Sequence, residues 1–265
     1  MRTVSSLLLV LSMFIPTLHA EETELGETEA GASLRIVVYN IRHGRGMDNE
    51  VDIPRIAEVL TRENPDLVAL QEVDKLCNRS GNQDIAAELG ALVGMDHRFG
   101  KFMDYDDGEY GLAVLSRLPI LETREHQVPA GAEPRVALEI QVEAEGFDVP
   151  VSFVSLHHDW TSEDYRIAQV EALLAGVEAY THPVILAGDY NTRPNGASLQ
   201  LLRDAGWEVL EKEGNPHTFP ADAPDREIDF VVIRNYPEVD ISHYVMDEAV
   251  ASDHRPLFAE ITVRD

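Results

Sequence analysis

Short apolar runs that break off into polar residues recur along this chain. Leu34-Arg35-Ile36-Val37-Val38-Tyr39 is apolar and β-branched and stops at Asn40, so it reads as a strand. The period then changes: Ile53, Ile56, Ala57, Val59 and Leu60 recur at helical spacing in the segment up to Glu63, which Pro65 and Asp66 close. Leu67-Val68-Ala69-Leu70 is a second buried strand and delivers Gln71 and Glu72 at its end. Strand, helix, strand, each strand ending in a polar residue, predicts an α/β layer protein with a site at its strand ends.

The pattern continues in the same style. Asp84 to Val93 reads as a helix, His97 to Phe102 and Tyr110 to Ser116 as strands, with Pro119 opening another. Arg135 to Val142 and Val149 to Ser155 form a predicted hairpin across Gly146. Ser162 to Tyr180 is an amphipathic helix, capped by Thr161 or Ser162, with Glu163 and Asp164 in its first turn. Ala197 to Ala205 is a short helix, and three strands close the chain: Glu227 to Ile233, Asp240 to Met246 and Arg255 to Val263. Many antiparallel strands with helices between them predict two packed sheets flanked by helices.

One stretch organises the rest, Val184-Ile185-Leu186-Ala187-Gly188-Asp189-Tyr190-Asn191. Its four apolar residues predict a buried strand, and Gly188 is expected to end it by letting the backbone turn. Asp189 and Asn191 are two apart, so an extended backbone would point them the same way. A carboxylate that holds or deprotonates a water, beside an amide that donates to a phosphate oxygen, suits hydrolysis of a phosphate ester. A polar turn leaving a core strand has the same residues, so the pair alone does not decide.

Composition narrows the function classes. At 265 residues with 44% hydrophobic content the chain can bury a sizeable core. A formal charge of −27, from 21 basic and 48 acidic residues, repels polyanions and argues against nucleic acid as partner. Met1 to Ala20, with Arg2 before the apolar run Leu7 to Leu11, reads as a signal peptide (residues 1–20), and residues 21–32 as an acidic disordered spacer before a domain spanning 33–265. This predicts an exported, periplasmic or extracellular protein with no stable membrane span after cleavage. Cys77 is the sole cysteine, so the chain has no internal disulfide and no thiolate metal cluster.

Polar residues stand at the end of run after run: Asn40, Glu72, Tyr110, His157, Asp189 with Asn191, Asp229, then Ser252-Asp253-His254. Tyr39-Asn40-Ile41, Leu70-Gln71-Glu72-Val73, Gly188-Asp189-Tyr190-Asn191, Ile228-Asp229-Phe230 and Ser252-Asp253-His254, in that order from about Leu34 to Val263, resemble the motifs of the endonuclease/exonuclease/phosphatase superfamily, with its deoxyribonuclease I-like fold. Asn40 to Gly46, Phe99-Gly100-Lys101 and Gly108 to Gly111 resemble an exported bacterial branch of it. The resemblance implies a four-layer α/β/β/α sandwich of two mixed, mostly antiparallel sheets flanked by helices, with one site at the top of both.

It also implies roles. Glu72 would be the Mg²⁺ ligand, with Asn40 and Asp253 completing the metal's surroundings, and Mn²⁺ or Ca²⁺ as substitutes. His254 would contact the scissile phosphate, its tautomer and basicity set by Asp229. Asp189 would hold the attacking water, Asn191 donate to the phosphate, and His157 act as general acid or phosphate clamp. Tyr110 and Arg135 would donate to transition-state oxygens. His158 adjoins His157, but neighbours in a strand face opposite ways, so no role is expected of it.

Arg42, His43, Arg45, Arg79, Ser80 and Lys101 gather basic and hydroxyl groups near these motifs. Arg42, His43 and above all Arg79, whose fork can grip a phosphate twice, are candidate substrate binders. Phe219 is expected to anchor its loop or, as the alternative, to line the substrate pocket. The function expected is an exported, Mg²⁺-dependent phosphoesterase in which water attacks phosphorus in line, monomeric, acting on a phosphorylated small molecule or lipid head group. The competing readings are a secreted metal-dependent nuclease and a non-catalytic binding protein on the same fold. The second would have replaced Glu72, Asp189, Asp229 or His254, and none is replaced.

Overall fold

The computed structural model describes residues 32–264, so the expected signal peptide and all but the last residue of the acidic spacer lie outside the described residues. One six-stranded sheet has the order β11 (Val239–Val245), β12 (Leu257–Val263), β1 (Ser33–Asn40), β2 (Leu67–Lys75), β4 (Gly108–Ser116), β3 (Asp96–Tyr105). The other has the order β5 (Ile120–Val128), β6 (Arg135–Val142), β7 (Val151–His157), β8 (Val184–Asp189), β10 (Asp229–Arg234), β9 (Glu208–Val209). Helices α1 (Ile53–Thr61), α2 (Ile85–Val93), α3 (Glu163–Val177) and α4 (Ala197–Asp204) complete the set among the described residues.

The layering follows from strands that are apolar on both faces. In β1, Ile36 and Val38 pack between the sheets against Leu138, Phe153, Ile185 and Val231. Their neighbours Val37 and Tyr39 point the other way, onto Ile56 and Leu60 of α1 and Leu89 of α2. In β8 the same alternation sends Ile185 and Ala187 inward, while Val184 and Leu186 meet Val170 and Leu173 of α3 and Leu199 of α4. With a side-chain period of two, each such strand needs a sheet on one side and helices on the other. The result is the α/β/β/α sandwich the sequence led us to expect.

Local chemistry sets the helix ends. Asp52 and Asp84 cap α1 and α2 through Arg55 N and Ala87 N, and Gly94 closes α2 in the left-handed region at φ 69°. Ser162, rather than Thr161, caps α3 by accepting from Asp164 N. That helix stops at Val177, short of the expected Tyr180.

The two parallel pairs position the site. β1 and β2 run parallel across α1, pairing Asn40 with Gln71, and β7 and β8 run parallel across α3, pairing His157 with Asp189. β10 lies antiparallel to β8 and pairs Asp229 with Asp189. His157, Asp189 and Asp229 therefore form one row across the second sheet, a register that sends all three side chains the same way.

Three local expectations fail. β2 does not end at Leu70 with Gln71 and Glu72 beyond it; it resumes past a bulge and runs to Lys75, so Glu72 lies inside the strand. Gly188 does not end β8; the strand runs through it to Asp189. The glycine is needed because a Cβ there would lie 1.9 Å from the Leu156 carbonyl oxygen, at a φ of +157°. Asn191 does not share an extended face with Asp189, because it lies beyond the strand with φ 50°.

Candidate active site

The site is assembled at the strand ends of both sheets. Asn40 closes β1, and Glu72 sits where the β2–β4 register shifts between Leu70 and Val73, with φ 56°. A non-glycine residue in that region is strained, and a bulge re-aims the side chain it carries. From the second sheet come His157, Asp189 and Asp229. His254 and Asp253 arrive on the loop before β12, fastened where Ser252 Oγ donates to the Asn40 carbonyl at 2.7 Å and Arg255 N donates to Thr218 O at 2.7 Å.

Asn40 links the two halves. Its Nδ2 donates to Glu72 Oε1 and to Asp189 Oδ2, each at 3.2 Å. Asp189 Oδ2 is also 3.4 Å from His157 Nε2 and 3.7 Å from His254 Nε2, while His254 Nδ1 is 3.0 Å from Asp229 Oδ2. The carboxylate of Asp189 thus sits between two imidazoles, one of them carrying its own carboxylate partner.

Electrostatics separates the groups by role. Burial works against a charged His254, yet Asp229, then Asp189 and Asp253, overcome it and push the ring up to about 10. Burial, reinforced by the charge of Asp229, raises Asp189 to about 7. His157 is held well below its ordinary value, first by burial and then by Arg135 and His254. Burial also raises the Tyr110 phenol, with Glu72 adding to the effect, and raises Glu72 itself. These opposing pushes favour a charged His254 and a neutral His157, and hold Asp189 above the usual carboxylate range.

Among the described residues, Asp189, Asp229 and His254 present ligand atoms within 4.8 Å of one another, a buried group able to hold a cation. The Nδ1 of His254 already faces Asp229, so this is also a carboxylate–imidazole pair in which the ring keeps its proton. Glu72, Asn40 and Asp253 offer oxygen donors, and Glu72 is a partly buried carboxylate whose side chain meets the amide of Asn40. An oxygen-only set with surplus negative charge fits a hard divalent ion.

A cleft of about 450 Å³ collects Glu72, Tyr110, Arg135, His157, Asp189, Asn191, Asp253 and His254. Arg135 is buried, lies 4.8 Å from the Phe102 ring, donates to Glu133 at 2.8 Å and leaves Nε and Nη1 without partners. Buried donors of that kind call for an anion. Asn191 holds its place by donating Nδ2 to the His158 carbonyl at 3.0 Å. His158 itself points away from the cleft and packs edge-on against Tyr190.

The expected basic cluster is not gathered into the cleft. Arg79 spends its fork on the fully buried Asp74, at 2.8 and 2.7 Å, and lies over the Tyr105 ring. Arg42 pairs with Asp253 at 3.5 Å, and His43 is buried beside Arg79 and Asp74. Lys101 is engaged by Asp104 and Glu109, Arg45 by Asn49. These residues carry long arms and many carboxylates compete for them, which a sequence of this acidity makes hard to foresee.

Other lining residues were not anticipated: Glu133, Trp160, Arg226 and Ile228. Phe219 does more than anchor its loop, since its ring centroid is 4.8 Å from that of His254 and the Arg226 guanidinium lies over it at 4.5 Å. A usable sign was present only for Trp160, a large aromatic three residues after His157 in a loop rich in polar residues.

The chain is similar to known proteins. Residues 37–254 match the model of the Endonuclease/Exonuclease/phosphatase family. The uncharacterized protein YbhP of Escherichia coli (strain K12) is 27% identical over 253 residues, covering 86% of this chain and 96% of its own length. An endonuclease/exonuclease/phosphatase from Beutenbergia cavernae superposes with a TM-score of 0.72 at 23% identity, covering 88% of this chain and 72% of its own. A humanized D. rerio TDP2 does so with a TM-score of 0.70 at 22% identity, covering 87% and 99%. At those identities the structures speak to the fold alone.

Proposed function

Because the chain belongs to the endonuclease/exonuclease/phosphatase family, we propose that it hydrolyses a phosphodiester or phosphomonoester by in-line attack of water, on a small phosphorylated or lipid-derived substrate. Members of the family are typically phosphoester hydrolases and typically need a divalent cation. The observation that carries the reading is the row of His157, Asp189 and Asp229, capped by His254 and facing Glu72 through Asn40.

In this mechanism Asp189 holds the attacking water and takes its proton, a task suited to a carboxyl raised to about 7. His254, kept cationic by Asp229, bonds a non-bridging phosphate oxygen through Nε2. The unpartnered donors of Arg135, the Tyr110 hydroxyl and the Asn191 amide supply further contacts to the oxygens on which charge grows. His157, neutral through burial, donates a ring N–H hydrogen bond to the leaving oxygen, which departs with the P–O electron pair as an alkoxide and is protonated from solvent, while the proton on Asp189 is released to solvent. Glu72, Asn40 and Asp253 would hold the divalent ion, Mg²⁺ first and Mn²⁺ or Ca²⁺ as substitutes, and the ion would supply Lewis-acid neutralisation of phosphate charge. Phosphoryl transfer is mostly positioning and charge neutralisation, which explains why so many modest groups converge.

The charge of −27 favours a small or zwitterionic substrate over DNA. The reading includes export, supported by the composition of Met1 to Ala20, and places the mature N-terminus near Glu21 in protein purified from its host. The test of function is turnover of bis-p-nitrophenyl phosphate, p-nitrophenyl phosphate, sphingomyelin, inositol phosphates and plasmid DNA, each with Mg²⁺, Mn²⁺, Ca²⁺ or chelator. Chelator-sensitive hydrolysis of small or lipid esters with DNA spared is expected. Rapid nicking of DNA would overturn the substrate class, and no turnover of any ester would overturn the reading.

A further inference from the structure

We infer that Trp160 is a specificity-determining residue: it selects phosphoesters that carry a planar aromatic or heteroaromatic ring, which stacks on the indole while the phosphate lies at Asp189 and His254. The inference rests on the reading above for where the phosphate goes, and adds what the rest of the substrate is.

Three observations support it. The side chain lines the cleft that holds Asp189 and His254, yet the residue is 64% exposed, whereas the other tryptophan, Trp207, is 3% exposed in the core. An indole left in water at the mouth of a cleft has a face free for contact. The backbone under it is also held rigidly. The Asp159 carboxylate accepts from Ala132 N at 2.7 Å, from Thr161 N and Oγ1 at 2.7 and 2.6 Å, and from Ser162 N at 3.1 Å. Asp159 N donates to Gln169 Oε1 at 2.9 Å, and Arg166 Nη1 donates to Asp159 O at 2.9 Å. Gly131 is part of this cradle, since a Cβ there would lie 2.2 Å from Asp159 Oδ2. The segment is fixed on both sides of Trp160 while its ring is left open, a preorganised platform rather than a loose loop.

The third observation separates a ring from an alkyl chain. Besides Phe219 and Ile228, the cleft that Trp160 lines carries the polar and charged side chains of Glu133, Arg135, Asn191 and Arg226, so its lining is mixed rather than apolar. In such a lining a long hydrocarbon chain finds apolar surface only at a few side chains. A heteroaromatic ring instead buries its face on Trp160 and meets donors and acceptors at its edge, and 450 Å³ accommodates one such ring with its phosphate.

The test is calorimetric titration of phenylphosphonate and methylphosphonate, both non-hydrolysable, into the full-length protein with Mg²⁺, for wild type, Trp160→Ala, Trp160→Leu and Trp160→Phe. Wild type should prefer phenylphosphonate, and the phenyl-to-methyl affinity ratio should fall about tenfold in Trp160→Ala, the scale of one lost stacking contact. It should fall nearly as far in Trp160→Leu and recover in Trp160→Phe. Equal affinity of wild type for the two phosphonates, a ratio unchanged in Trp160→Ala or kept by Trp160→Leu, or no binding of either probe would each overturn the inference. Because binding is read without turnover, a preserved ring preference in a protein that hydrolyses no ester would sink the hydrolase reading and leave this one standing.

Discussion

Replacing Asp229 with Asn keeps the size of the side chain and an acceptor oxygen, and removes the charge that His254 depends on. In the native protein burial pushes the ring down, and Asp229, 3.0 Å from Nδ1, is the main group that reverses this. From an ordinary 6.5 to about 10 is about 3.5 pH units, or about 5 kcal/mol between the charged and neutral ring at roughly 1.4 kcal/mol per unit. A raised folded-state value means the folded protein holds the proton longer than the unfolded chain. The stabilisation is therefore fully present below about pH 6.5 and is lost as pH rises through about 10. In Asp229→Asn burial persists without its opponent, so the His254 value should fall by two units or more. Urea unfolding at pH 6.5, 8 and 10, with His254 followed by NMR of the imidazole nitrogens, reads both quantities. The native protein should lose several kcal/mol more than the variant between pH 6.5 and 10, and turnover at pH 7 should drop about 10²-fold or more in the variant. A native His254 that titrates near 6.5, or identical pH profiles for the two proteins, would refute the account of the pair.

Three further outcomes are expected. Glu72→Gln should weaken Mg²⁺ binding by at least about 10-fold in calorimetry, since a hard cation loses its charged oxygen ligand while the fold persists. Gly188→Ala should cost about 3 kcal/mol or more in urea unfolding, because the new methyl would meet the Leu156 carbonyl oxygen at 1.9 Å and the backbone of β7 must give way; a loss under about 1 kcal/mol would contradict the register of β7 and β8. Arg79→Ala should destabilise by about 3 kcal/mol by stranding the buried carboxylate of Asp74, and a KM for the substrate raised more than about tenfold with stability intact would restore the phosphate-binding role expected of it.

Strand ends were legible because alternation and run length mark where a chain enters and leaves the core. Asn40 and Asp189 close their apolar runs and sit at the ends of β1 and β8, and Asp229 opens β10, whereas Glu72 lies inside β2, at a bulge that run length did not show. Basic residues were less legible. Arg79 and Arg42 looked like phosphate ligands by type and proximity in sequence, but Arg79 is taken by Asp74, buried in β2 five residues earlier, and Arg42 by Asp253, which only the fold brings to it. Arg226 and Glu133 were missed for the converse reason, since nothing around them is periodic.

By itself the sequence determined the layers. Strands apolar on both faces, interleaved with helices that are apolar on one, can satisfy their burial only as a sandwich with helices outside. It also determined which residues stand at the rim. Tertiary structure decided which of those groups meet. The pairing of β7 with β8 and β10 sets His157, Asp189 and Asp229 in one row, a bulge turns Glu72 toward Asn40, and the loop before β12 lays His254 on Asp229. Long-range register and the charges it brings within about 4 Å are properties of contacts far apart in the chain, so the ionisation of His254, Asp189 and His157 had no local signature to read.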